Sequence, residues 1–296
     1  MRVLGVGNCT LDHIAVVDRF LEPDTQKEVL QFSQQGGGAV ATATAALARW
    51  GAKSSIVGKV GDDGRGRQIL KTLSDEGVDI SLCVLQENAV SQLSMITIES
   101  PTGRRQRVYT RGSVEPLRKS EINDSVLDGV DFLLVDGTHP EVEMGLMEAA
   151  RSRGIRVMLD AQENTPSIRE AVAHCDVLVA SERFASQFAG VGELKSLCNA
   201  LLEKGPTMVV VTLGDEGCVG MTASDHTMIR AAAFPVTVID TTGAGDVFHA
   251  GVIFGLIQGW PLAKIARFAN VAAGLTCSGI GSRGPLPTLE AITERL

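Results

Sequence analysis

The heptapeptide DTTGAGD, residues 240–246, closes with two glycines around an alanine and then an acid. The apolar run VTVI precedes it and the small, apolar stretch VFHAGVIFGLIQG follows. That order predicts a strand, a tight turn and a helix. The backbone N–H groups of Gly243, Ala244 and Gly245 would then converge at the positive end of the helix. Glycines leave such a nest open to close approach by an anion. Asp246, opening the helix one residue further on, lies within reach of whatever group the anion is transferred to. An anion hole beside a carboxylate that accepts a hydroxyl proton is the equipment of phosphoryl transfer. A tight turn with an N-cap acid would explain Asp246, but not the glycines beside it.

Three other places offer complementary groups. In QQGGGAVATATAALARWG (34–51), three glycines open a small-residue helix, so backbone can approach a ligand there; close helix packing would use the alanines equally. GNCTLD (7–12) puts Asp12 at the C-terminal end of the first strand, where ligands of open α/β sheets bind, or leaves it as a solvated loop acid. VVVTLGDEGCVG (209–220) runs from a strand into Gly214 and Gly217, which suits either a hairpin or a loop against a nucleotide. The five histidines contain no metal-binding pair, and His249 reads as a packed or capping residue with no assigned role.

These groups need a scaffold, and the chain describes one. Short β-branched runs (RVLGVG, KSSIVGKVG, DFLLVDG, IRVMLD, DVLVAS, TMVVVTLG) alternate with helical periodicity at Thr42 to Trp50, Arg65 to Glu76, Val142 to Arg153 and Leu194 to Lys204. The alternation predicts an α/β fold: a central, mostly parallel sheet with helices on both faces. Glycines 51, 77, 154 and 205 stop the helices where positive φ is needed. Two stretches, 13–34 and 91–111, instead read as extended pairs around polar turns, with SPTG as a hairpin turn. They predict a small β-sheet lid (13–33 and 91–111) beside a main body of 1–12, 34–90 and 112–296.

Bulk properties narrow the function. The chain has 296 residues, 44% of them hydrophobic, and a net charge of −8 with no basic block, which argues against nucleic acid or an anionic membrane as partner. The N-terminus lacks a signal-peptide core, and no apolar run reaches membrane-spanning length. The six cysteines stand singly, which fits a reducing cytoplasm. GVGNCT has Thr10 at the third glycine position of a dinucleotide fingerprint and no helix pattern after it, so an oxidoreductase is disfavoured.

Taken together, DTTGAGDVFHAG, the GGG helix with WGA…VGKVGDDGRG, and VTLGDEG resemble the phosphofructokinase-B (PfkB)/ribokinase family of carbohydrate kinases over essentially the whole chain. The resemblance implies a ribokinase-like fold, with transfer of the ATP γ-phosphoryl group to a sugar hydroxyl and Mg²⁺ on the phosphates. Asp246 would be the base and the amides of Gly243, Ala244 and Gly245 the anion hole. Asp12, Gly37, Gly38 and Thr42 would meet the sugar. Thr212, Gly214, Gly217 and Asn270 would meet ATP. Asp240 and Thr242 would border a monovalent cation such as K⁺, and Glu182 would stand in the outer shell of Mg²⁺.

Two departures bear on the substrate. Thr42 stands where many members carry Asn in G-G-x-x-x-N, and SERF (181–184) stands where many read N-x-x-E. With DTQKEV (24–29), they make the pattern closest to the branches of sulfofructose kinase and of ketohexokinase and fructokinase. A non-catalytic sugar or nucleotide sensor and a nucleoside kinase are the alternatives. Lys27, Arg105, Arg107 and Arg111 would serve an anionic sugar, or act only as solvated turn and lid charges. Apolar lid positions Ile14, Val16, Val29, Phe32, Met95 and Ile96 need cover, which predicts a homodimer joined through the lids.

Overall fold

The computed structural model describes residues 1–100 and 102–296; Pro101, inside the expected SPTG turn, lies outside them. Strands β1 (Arg2–Val6), β2 (Thr10–Val17) and β3 (Gln31–Gly37) open the chain, followed by helix α1 (Ala39–Arg49). Next come β4 (Lys53–Val57), β5 (Lys59–Gly61), α2 (Gly64–Asp75), β6 (Val84–Gln86), β7 (Leu93–Glu99) and β8 (Arg104–Thr110). Strands and helices then alternate through β9 (Phe132–Val135), α3 (Pro140–Ser152), β10 (Arg156–Ala161), α4 (Pro166–Ala171) and β11 (Val177–Ser181). After α5 (Glu182–Ala189), α6 (Leu194–Leu202) and β12 (Met208–Thr212), the hairpin strands β13 (Cys218–Thr222) and β14 (Ile229–Ala231) lead to α7 (Ala244–Ile257), α8 (Leu262–Thr276) and α9 (Leu289–Thr293).

Eight strands form the main sheet in the order β14-β13-β12-β11-β10-β9-β1-β4, parallel from β4 to β12 and antiparallel through β13 and β14. Its strands read as unbroken apolar runs because both faces are buried. Val3, Leu134, Met158 and Val210 face α1, α7 and α8, whereas Leu4, Leu133, Leu159 and Val211 face α3 to α6. Helix α7 is buried from Val247 to Leu256, a core helix held by α1 and α8. Stacked and edge-on rings of Trp50, Phe254, Trp260 and Phe268 lock that packing. The glycines expected to stop helices, Gly51, Gly77, Gly154 and Gly205, all have positive φ.

The second sheet has the order β3-β2-β7-β8, with β2 and β7 parallel and both outer pairs antiparallel. Its strands begin and end somewhat differently from expectation: β2 starts at Thr10 and β3 runs to Gly37. Asp12 is therefore not at the end of β1, which stops at Val6, but inside a strand of the small sheet. Gly7–Cys9 carries the chain from one sheet to the other with too few residues for the sequence to mark a break. The expected strand VTVI (236–239) also fails to form: the run lies outside any strand, and Ile239 N–H donates to the Cys277 carbonyl instead.

Register divides the small sheet into two faces. Asp12, Ile14 and Val16 of β2 stand beside Ser94, Ile96 and Ile98 of β7, and Arg107 and Arg105 of β8 stand beside Ile96 and Ile98. Ile14, Val16, Ile96 and Ile98 pack together over Ile280 of the main body. Three positions expected to need a second subunit, Ile14, Val16 and Ile96, are thus covered by the chain itself. The opposite face leaves Phe32 60%, Met95 56% and Val108 66% exposed, with Val29 exposed beside them.

Candidate active site

Gly243 is the N-cap of α7 at φ 83°, and a Cβ there would lie 2.5 Å from that of Ser282, so only glycine fits. The helix begins two residues earlier than expected, and Asp246 is its third residue rather than its first. The first regular helical bond runs from Val247 N–H to the Gly243 carbonyl at 2.9 Å. The amides of Gly245 and Asp246 precede it and face outward, while that of Ala244 makes only a long 3.4 Å contact with the Thr241 carbonyl. A Cβ on Gly245 would meet no protein atom within 4 Å. Open space in front of free amides is what an incoming anion requires.

Asp246 is part-exposed at this cleft, yet the protein around it desolvates its carboxyl and the nearby Asp160 repels its charge. Together they raise its pKa to about 6, against the pull of His249 and Arg105. Such a carboxyl is ionised at neutral pH but holds a proton more readily than an ordinary aspartate, the property wanted in a general base.

The small sheet supplies the facing wall. Asp12 is buried, accepts the Thr10 hydroxyl at 2.9 Å, and has its pKa raised by burial. A Cβ on Gly37 would strike its carboxylate, and one on Gly38 would strike the Asn8 carbonyl. The triple glycine thus lets the two sheets join around Asp12, with Arg283 and Thr72 closing on Gly36. Arg107 donates to Ser94 Oγ at 3.2 Å and its charge acts on Asp12. Arg105 donates to Thr242 Oγ1 at 2.9 Å, and its charge acts on Asp246. Thr42 Oγ1, in the first turn of α1, is buried and finds no partner among the described residues. Lys27 is not part of this group. It pairs with Asp18 in the loop at the far end of the β2–β3 pair, five residues along β2 from Asp12. Arg111 is exposed just past the end of β8.

Asp240 and Thr242, the pair expected to border a monovalent cation, meet. Asp240 is fully buried and accepts Thr242 N–H at 2.9 Å, Thr242 Oγ1 at 2.7 Å and Gly281 N–H at 2.8 Å. Both carboxylate oxygens are engaged, and the Arg105 guanidinium already brings positive charge to Thr242. Glu182 opens α5 on the surface, and among the described residues no three His, Cys, Asp or Glu side chains gather around a common point.

On the side expected to take ATP, β12 and β13 form the hairpin, with Leu213 N–H donating to the Gly217 carbonyl. Gly214 faces open space, whereas Gly217 is required because its own Cβ would collide with Ala231. Thr212 donates to the Ala180 carbonyl at 3.4 Å. Asn270 Nδ2 donates at 3.1 Å to both the Ala231 and the Ala232 carbonyls and so ties α8 to the sheet edge on this side.

Three residues to which the sequence assigned no role, Asp160, His249 and Arg283, complete the cleft. Asp160 is the penultimate residue of β10 and His249 lies one turn beyond Asp246. Buried Arg283 donates to the Gly37 carbonyl at 3.0 Å and acts on both Asp12 and Asp246. GSRG (281–284) gave one signal, an arginine flanked by glycine in a small-residue stretch, but nothing in it pointed to Gly37.

Free amides and a carboxylate of raised pKa at a helix N-terminus, facing Asp12, Arg105 and Arg107 of the small sheet in an α/β fold, are groups that a phosphoryl-transfer enzyme would use. The chain belongs to the pfkB family of carbohydrate kinases, whose model matches residues 2–289. It is 28% identical over 291 residues to a 5-dehydro-2-deoxygluconokinase of Geobacillus thermodenitrificans, covering 90% of this chain and 86% of that one. It is 29% identical over 296 residues to a ribokinase of Bacillus subtilis, covering 98% of each. A solved candidate ribokinase of Agrobacterium tumefaciens superposes with a TM-score of 0.91 at 30% identity, over 99% of this chain and 96% of that one. The fold is ribokinase-like, and the protein is an ATP-dependent sugar kinase.

Proposed function

We propose that the chain transfers the γ-phosphoryl group of ATP to a hydroxyl of a ketose or related sugar, and that this sugar carries an anionic group. One observation carries the reading: Asp246 stands beside free helix amides while Asp12, Arg105 and Arg107 reach the same cleft from the inner face of the small sheet. Asp12 and the unpartnered Thr42 hydroxyl would hold sugar hydroxyls. Asp246 takes the proton of the attacking hydroxyl, and the amides of Gly243, Ala244 and Gly245 hold the transferring group. Mg²⁺ would ride on the nucleotide phosphates with several waters, as an ion with few protein ligands does, and would supply charge neutralisation there. The small sheet would act as a lid that excludes water as a competing acceptor. Six unpaired cysteines suit a reducing cytoplasm.

The arginines favour an anionic acceptor, as does the relative whose name denotes a kinase of a sugar acid. Arg107→Ala is expected to raise KM for an anionic sugar by the equivalent of about 1.5 to 3 kcal/mol, with ATP binding unchanged. An unchanged KM would point to a neutral ketose. The substrate class is tested by a thermal-shift screen of neutral, carboxylated, phosphorylated and sulfonated sugars, and of nucleosides, with a non-hydrolysable ATP analogue. The largest upward shift is expected with an anionic sugar; a larger shift with a nucleoside would replace the sugar reading.

The exposed outer face of the small sheet extends the proposal to a twofold homodimer through Phe32, Met95 and Val108. Sedimentation should give a dimer, and Phe32→Asp combined with Val108→Asp should give a folded monomer. A monomeric wild type would overturn the dimer.

A further inference from the structure

His249 is buried, and both of its ring nitrogens face acceptors. Nδ1 lies 2.6 Å from the Gly245 carbonyl, one turn back on its own helix. Nε2 lies 3.1 Å from Asp160 Oδ1 and 3.5 Å from the Val179 carbonyl. A neutral imidazole carries one N–H and must present a lone pair at its other nitrogen. The Gly245 and Val179 carbonyls can only accept and the Asp160 carboxylate stands at ion-pair distance, so the ring that fits is the imidazolium, donating to the two carbonyls and paired in charge with Asp160. Asp160 accepts Gln162 Nε2 at 2.9 Å through Oδ2, and among the described residues no other cation is paired with it. The cation and the anion thus belong to each other, buried between β10 and α7.

We propose that His249 is a positioning residue of the active site: as an imidazolium clamped between Asp160 and the Gly245 carbonyl, it fixes the Gly245–Asp246 peptide of the anion hole and shields the Asp246 carboxylate from Asp160. The inference rests on the reading of Asp246 as the base. Every charged group facing Asp246 enters the balance. Asp160 from β10 and Asp12 from β2 repel its charge, while His249 from its own helix and Arg105 from β8 attract it. Arg283, from the loop after α8, adds a further attraction. Burial alone would favour a neutral ring, but Asp160 and the Gly245 carbonyl outweigh it and lift the His249 pKa to about 9. Without the imidazolium, an unpaired buried Asp160 would press on the base and on the incoming phosphates.

The charge state is read directly by NMR of protein carrying ¹⁵N-labelled histidine. The His249 imidazole should remain doubly protonated at pH 7.5, and its signal should vanish from the spectrum of the five histidines in His249→Asn. If His249→Asn does not fold, replacing His13, His139, His174 and His226 instead identifies the signal by elimination. A neutral His249 at pH 7.5 overturns the proposal, whatever the enzyme's activity. The positioning role is read from the pH profile. Asn can keep a bond to the Gly245 carbonyl but carries no charge, so the acidic limb of kcat/KM should move up by about one pH unit, the scale for loss of a close opposite charge. Adding Asp160→Asn should bring the limb back down. A limb that stays put in a folded His249→Asn protein overturns the role, since simple loss of packing would lower activity without moving it. Collapse of turnover in Asp246→Asn is a separate result, so failure of the base assignment and failure of this proposal are distinguishable.

Discussion

Asp246→Asn is expected to lower kcat by roughly a hundredfold or more while leaving ATP affinity nearly intact. The amide is close to isosteric with the carboxylate and preserves the N-terminal turn of α7, so the anion hole survives. What disappears is the group that accepts the hydroxyl proton. In the wild type, kcat/KM should rise with pH through about 6, the pKa to which burial and Asp160 lift Asp246, and level off above it. The variant should lack that limb. Stability separates this loss from misfolding. Because the folded pKa lies above that of an unfolded aspartate, the folded state holds the extra proton, and stability falls as pH rises from the usual carboxylate range through about 6. Removing the charge relieves that cost, so above pH 6 the variant's Tm should equal or exceed that of the wild type. Near-normal turnover would remove Asp246 from the role of base.

The second large effect is expected at Gly245. Its neighbour Gly243 is needed for folding, because its φ of 83° and its contact with Ser282 exclude any side chain. Gly245 is different. It is the second residue of a regular helix, and a Cβ there meets open space. Valine at 245 should therefore fold, at a small helix-propensity cost or none. Its branched side chain would fill the volume before the free amides and keep the phosphoryl group from them. The loss expected is about 10²- to 10³-fold in kcat/KM, the scale for removing an oxyanion-hole donor. Circular dichroism and Tm should stay close to wild type. An active Gly245→Val enzyme would mean that the turn serves only the fold, whereas a Gly243→Ala protein should lose stability first.

The main sheet was legible in the sequence because its strands are buried on both faces, which leaves nearly continuous apolar runs such as FLLV and TMVVV between glycine-stopped helices. The small sheet was legible as two extended stretches without helices, but its inner and outer faces were not. Ile14 and Phe32 both look like apolar lid residues, and only register shows that the first lies over Ile280 and the second faces outward. VTVI misled because β-branched residues suit any extended segment, paired or not. In the cleft, the local motif announced itself: Gly243, Gly245 and Asp246 are adjacent and their spacing carries the chemistry. Asp12 was visible as an acid and wrongly assigned to the main sheet. Asp160, His249 and Arg283 drew no role from the sequence, since Asp160 and His249 meet only across 89 residues and Arg283 meets Gly37 across 246, and a lone charged residue in a strand, helix or turn has no pattern to betray it.

The central claim is transfer of phosphate to a sugar, and it is tested most directly by incubating the protein with MgATP and a panel of neutral and anionic sugars, following ADP release together with the ³¹P spectrum of the product. The account predicts that ATP is consumed one for one with the appearance of a sugar phosphate monoester, fastest with an anionic ketose or sugar acid, and that Asp246→Asn removes the reaction. Binding of both sugar and nucleotide with no ATP consumed across the panel would contradict it and leave a sensor built on a kinase fold.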